Sequence, residues 1–142
     1  MANTLFDFAR QRFLEAQINW MTDTVKILLV DTGAYTPQTA VHQYVADIPP
    51  SSRIAGPVTL TAKSTTGGAA DGADVTFTSV SGPSIEAIVI YVDTGTEATS
   101  PLIAFIDTAT GLPITPNGGD IIVTWDSIEK EINSLFRSPL TA

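Results

Sequence analysis

Cysteine is absent from the 142-residue chain, which excludes disulfides, thiolate metal sites and cysteine nucleophiles. Histidine occurs once, at His42, so a His-pair metal site is excluded, and no Ser stands in a nucleophile elbow that would complete a triad with it. Cations are scarce: 7 Lys and Arg face 15 Asp and Glu, and the formal net charge of -8 repels a polyanion instead of forming a basic patch for nucleic acid. Charge of either sign is thin, 15% of residues against the ~25% usual in soluble domains, with Thr, Ala, Gly and Ser filling the space. A surface so neutral suits a protein whose faces are covered by neighbours. No apolar run approaches the ~20 residues of a membrane span, and residues 1–10 hold no signal-peptide core, so the expectation is synthesis in a cytoplasm with no membrane partner.

The length is that of one ordinary domain, residues 1–142, and a hydrophobic content of 44% supplies a core without metals or cross-links. Phe6, Ala9, Phe13, Ala16 and Trp20 recur at steps of three and four, with Leu14, Ile18 and Met21 beside them, which predicts one amphipathic helix over residues 4–21. Thr4 followed three residues later by Asp7 is a variant capping box, and the carboxylate suits the positive end of the helix dipole. The aromatic stripe must dock on this chain's own sheet or on a partner's.

Past the helix the period changes. Short runs rich in Val, Ile and Thr, closed by Gly, Pro, Asp or Asn, predict strands near residues 24–31, 58–63, 74–79, 85–92, 102–107 and 120–125, within a β domain spanning 24–126. Residues 25–30 and 85–92 are apolar on nearly both faces, as central strands are, whereas 58–62 and 75–77 alternate with Thr and Lys, as outer strands with one wet face do. The fold class is mainly β, an antiparallel β-sandwich or barrel-like sheet with one N-terminal amphipathic α-helix, α+β overall. The tail, 127–142, is open between two structures: Ile128, Ile132, Leu135 and Phe136 have helical spacing, and Leu135 with Phe136 would equally close a sheet edge. Residues 35–56 resist assignment, interrupted by Pro37, Pro49 and Pro50, and residues 64–72 are too rich in Gly and small side chains to hold a shape alone.

Two strands end in the same string, Leu29-Val30-Asp31-Thr32-Gly33 and Tyr91-Val92-Asp93-Thr94-Gly95, which is similar to the aspartic-protease loop. That chemistry needs two carboxylates sharing a proton at close range. Asp107-Thr108 repeats the strand-ending pair without Gly, which favours a simpler reading in which Asp caps a turn and Gly takes the positive φ. Asp71 and Asp74 are too few for calcium, which takes six to eight oxygens, so no metal site and no cofactor is expected. Gly67-Gly68 lacks the Lys-Ser or Lys-Thr of a phosphate loop. Nothing marks the chain as an enzyme.

Three blocks carry a resemblance. They are Asn3-Thr4-Leu5 with residues 13–18 leading into 25–32; residues 87–93 with 102–107; and residues 108–125, reading Thr-Ala-Thr-Gly-Leu-Pro-Ile-Thr-Pro-Asn-Gly-Gly-Asp-Ile-Ile-Val-Thr-Trp. Together they resemble a family of small tailed-bacteriophage virion structural proteins, often encoded among head genes; past Asp126 the chain departs from that pattern. The resemblance implies a non-enzymatic virion component made in the host cytoplasm: a capsid decoration or cement protein, a homotrimer bound to the major capsid protein on the capsid surface. A tail, neck or baseplate placement and a surface carbohydrate-binding module are the alternatives. Composition then nominates irregular surface as capsid contact: Ala2, Asn3 and Thr4, the loop residues Thr65, Thr66, Gly67, Gly68, Asp71 and Asp74, and the excursion over 36–50. Phe13 and Trp20 are the candidates for the oligomer seam.

Overall fold

The computed structural model describes residues 3–68, 70–125 and 140–141. At its centre β2 (Val25–Val30) and β5 (Ala87–Val92) pair antiparallel in unbroken register from Val25 opposite Val92 to Val30 opposite Ala87. β6 (Leu102–Ile106) flanks β5, β3 (Arg53–Thr59) flanks β2, and the short β1 (Thr4–Leu5) closes the far edge on β6, giving a five-stranded sheet in the order β1-β6-β5-β2-β3. A second antiparallel sheet has three strands: β4 (Val75–Phe77), β7 (Ile121–Val123) and β8 (Leu140–Thr141), in the order β4-β7-β8. The protein is mainly antiparallel β, and among the described residues it has a single short α-helix, α1 (Asp7–Leu14).

The large sheet is apolar on both faces because both are covered. One face, with Val25, Ile27, Leu29, Ile88 and Ile90, packs on Val75, Phe77, Ile121 and Val123 of the small sheet, and Trp20, Leu60 and Trp125 extend that core. The other, with Leu28, Val30, Val89, Tyr91 and Phe105, lies under Phe6, Ala9 of α1, and Tyr35, Val45 and Ile48. Each such side chain contributes roughly 1.5–3 kcal/mol when fully buried, so a strand buried on both faces doubles its yield per residue. The unassigned excursion after β2 is the lid of this second core.

Two expectations are corrected. The helix does not run over 4–21: Thr4 and Leu5 pair with Phe105 and Ala104 instead, and the helix ends after Leu14. The stop is a Schellman motif, with Ala16 at φ 59, its N–H donating to Phe13 O at 3.2 Å and the Gln17 N–H to Arg12 O at 2.8 Å. The apolar stripe therefore serves two cores: Phe6 and Ala9 lie on one face of the sheet and Ile18 and Trp20 on the other. The strand expected at 58–63 lies earlier, at Arg53–Thr59, where Gly56 and Pro57 mask it in the sequence. A Cβ on Gly56 would sit 2.6 Å from Ile27 O, and Pro57, lacking an N–H, is tolerated because β3 is an edge strand. Of the tail expectation, residues 127–139 and 142 lie outside the described residues, while Leu140–Thr141 pairs with β7.

Candidate functional site

The loop joining β3 to β4 is built as a closed base carrying an exposed tip. Ser64 and Asp71 exchange N–H···O bonds, each 3.0 Å, and the Ala73 N–H donates to Thr61 O at 2.8 Å. Two indoles fasten the returning strand: Trp20 Nε1 donates to Asp71 O at 3.3 Å and Trp125 Nε1 to Ala73 O at 3.0 Å. Asp71 turns its Oδ1 back to the Gly72 N–H at 2.8 Å, and a Cβ at Gly72 would meet Leu60 Cδ1 at 2.6 Å, so a larger residue there displaces the buried Leu60 side chain. Beyond this base Thr65, Thr66, Gly67 and Gly68 stand exposed, as does Asp74, while Asp71 is half-buried. Gly67 and Gly68 have φ of 69 and 82, a turn that side-chain-bearing residues adopt only with strain.

The other sequence-nominated residues are elsewhere. The loop sits at the end of the sheet where Leu60 N–H meets Val25 O, whereas Asn3 and Thr4 sit at the end where β6 finishes. Six-residue strands at ~3.4 Å per residue put roughly 17 Å between those ends. Asn3 is also occupied within the chain: its Oδ1 accepts the N–H groups of Asp107 and Thr108, both at 2.9 Å, and its Nδ2 donates to Thr108 O at 2.8 Å. Ala2 lies outside the described residues. Trp20 is 7% exposed, its apolar surface spent inside its own chain, whereas Phe13 is 36% and Leu14 88% exposed at the end of α1. The excursion over 36–50 mixes the buried Val45 and Ile48 with the 63% exposed Val41.

The two Asp-Thr-Gly turns are not brought together. Asp31 follows the end of β2 and Asp93 the end of β5, so the antiparallel pairing sends them to opposite ends of the sheet. Each carboxylate accepts the N–H of the glycine two residues on, at 2.8 Å for Gly33 and 2.9 Å for Gly95, which is the turn-capping role. Lys26 Nζ lies 2.8 Å from Asp93 Oδ2, and that hydrogen bond, before the Gly95 amide, holds the Asp93 carboxyl below the usual carboxylate range. Arg53 does the same for Glu97 at 2.8 Å. Burial, ahead of the Asp93 charge, pushes the Tyr91 phenol up to about 12.

Two clefts remain. One, of about 400 Å³, lies between Thr32, Thr36, Glu86, Phe105 and Asp107; Glu86 Oε1 there accepts the Thr32 N–H at 2.9 Å and its hydroxyl at 3.2 Å. Phe105 is 1% exposed and gives this cleft no ring face on which a sugar would stack. The other, also about 400 Å³, runs between the edge strands β3 and β4. Among the described residues no group of three or more His, Cys, Asp or Glu is placed to hold a metal, and no helix is long and apolar enough to cross a membrane.

Sequence reasoning passed over Arg12 and Glu86. Arg12 donates to Gln43 Oε1 and Tyr44 Oη, each at 3.0 Å, with its guanidinium 5.0 Å from the Tyr44 ring centroid, and so ties α1 to the excursion. Nothing in its spacing signals this, because its partners are more than thirty residues away. No protein-family model matches the chain, and no curated protein matches it.

Proposed function

We propose that this chain is a non-enzymatic bacteriophage virion structural protein, a head decoration or cement protein that binds the major capsid protein and stabilises the expanded head. The observation that carries the reading is the loop tip: four uncharged, exposed residues, Thr65, Thr66, Gly67 and Gly68, held out on a base fixed by two tryptophans. A tip of that composition adds nothing to its own core, and its anchoring limits the entropy lost when a partner orders it. Resemblance of the three sequence blocks to phage structural proteins supports the same reading, as does a surface with little charge. The mechanism is mass action: a protein that binds the expanded shell and not its precursor stabilises the expanded state in proportion to occupancy.

The test is light scattering of the purified protein, followed by co-sedimentation with expanded, undecorated capsids of the encoding phage. A trimer that pellets in stoichiometric amount, and whose pelleting is lost when residues 65–68 are replaced by a short Ser-Gly linker, is the expected result. A wild-type protein that stays in the supernatant sinks the cement reading and moves the assignment to a tail, neck or baseplate ring. Retention on a glycan array would move it to the carbohydrate-binding alternative.

A further inference from the structure

The chain's one imidazole is built into the segment that covers the outer core. The His42 ring stacks on Tyr35, centroids 5.5 Å apart and planes at 26°, and Tyr35, 3% exposed, rests on Phe105 of β6 at 6.4 Å. His42 Nδ1 lies 2.9 Å from the Tyr35 hydroxyl and 3.4 Å from the Gln38 backbone nitrogen. A backbone N–H can only donate, so Nδ1 is the acceptor, the ring proton is on Nε2, and the Tyr35 hydroxyl is the other donor. The phenol is suited to that role, because burial and then the Asp47 charge hold it in its protonated form.

We propose that His42 is a proton-operated latch: neutral, it fastens residues 36–44 to Tyr35 and the sheet, and protonated it releases them. A proton on Nδ1 faces the Gln38 N–H donor to donor, so that amide loses its acceptor, while the Tyr35 hydroxyl turns from donor to acceptor. The turn so loosened is the one in which the Val41 and His42 N–H groups bond Gln38 O at 2.9 and 2.8 Å, and whose Thr39 O receives the Asp7 N–H at 2.9 Å. Charged groups on the elements packed around it are Asp7, Arg10 and Arg12 of α1, and Asp47 and Arg53 on the excursion side. Asp7 is paired with Arg10, Asp47 accepts the Gln43 and Tyr44 amides, and Arg12 and Arg53 bond Gln43, Tyr44 and backbone carbonyls. Beneath it the sheet offers Phe105, without charge. Release changes the surface over 36–44 while both cores stay packed.

The experiment is amide hydrogen exchange at pH 7.5 and pH 5, corrected for intrinsic rates, on the wild type and on His42→Gln, with the wild-type ring nitrogens followed by NMR. Expected is a loss of protection of about fivefold at the Val41 and His42 amides on acidification, the equivalent of roughly one net hydrogen bond, absent from His42→Gln. The ring should carry its proton on Nε2 at pH 7.5. An equal loss in His42→Gln, unchanged protection in the wild type, or a protonated Nδ1 at pH 7.5 each overturns the latch. If His42→Gln does not fold, the wild-type ring titration decides: Nδ1 protonation must coincide with the loss of amide protection, and separate midpoints sink the proposal.

Discussion

Ala16 occupies a position that glycine ordinarily fills. It is the left-handed residue of the Schellman motif that ends α1, at φ 59, and an L-residue in that region carries about 1–2 kcal/mol of steric penalty. Glycine relieves the penalty and returns part of it as unfolded-chain entropy, so Ala16→Gly should stabilise the protein by about 0.5–1 kcal/mol, a rise in Tm of roughly 2–4 °C. A lower Tm by calorimetry would show that the turn is not held as described. The paired carboxylates at Asp93 and Glu97 act through pH. Both are held below their ordinary values, chiefly by hydrogen bonds from Lys26 and Arg53, so their contribution is present above the unfolded carboxyl pKa of ~4 and is lost as pH falls through the lower folded values. Lys26→Met should flatten the acid limb of a stability-pH profile, and urea midpoints from pH 6 to pH 2.5 would show it; parallel profiles for wild type and variant would remove Asp93 from the account.

At the scale of elements, the two indole bonds on the 64–73 loop are the fastening that its composition conceals. Trp20→Phe and Trp125→Phe each keep a ring in the core and delete one donor, for about 1–3 kcal/mol of lost stability from the bond and the space left behind. Exchange at the Asp71 and Ala73 amides should quicken more than at β2 and β5 amides; uniform quickening would mean that the loop was not specifically held. How legible each element was in the sequence follows from the same local physics. β2 and β5 could be read because continuous Val, Ile and Leu fit a strand covered twice, and the register confirms it. β3 could not, since Gly56 and Pro57 read as a breaker, and the glycine is explained by the close approach of Ile27 O together with a φ of 95. The helical spacing overruns the helix because Ile18 and Trp20 continue it while packing on the opposite face of the sheet. The lid after β2 carries its apolar anchors, Tyr35, Val45 and Ile48, at no regular period, so no pattern announces it. That residues 65–68 form an exposed tip is legible in composition, while its anchoring, and the separation of Asn3 from it, are tertiary facts.

For the whole molecule, the two-core arrangement leaves little apolar surface to spare, which makes the exceptions meaningful. Phe6, Phe77, Phe105 and the central aliphatics are fully buried, yet Phe13 and Leu14 stand exposed side by side where α1 ends. Leu14 contributes little to its own fold, and Phe13 keeps about two-thirds of its surface covered, so an aspartate at 13 should cost about 1–2 kcal/mol and leave the chain folded. In an assembly the same change buries an unpaired carboxylate at the seam, which costs several kcal/mol and is not tolerated. Phe13→Asp should therefore convert the proposed trimer to a folded monomer by light scattering, with the Tm of the dilute protein lowered by only a few degrees. Trp20→Asp, placed in the intrachain core, should instead unfold the chain, and the contrast between the two separates seam from core. A Phe13→Asp protein that remains a trimer, or a wild type that is already monomeric, would remove the end of α1 from any interface and leave the anchored tip at 65–68 as the contact to pursue.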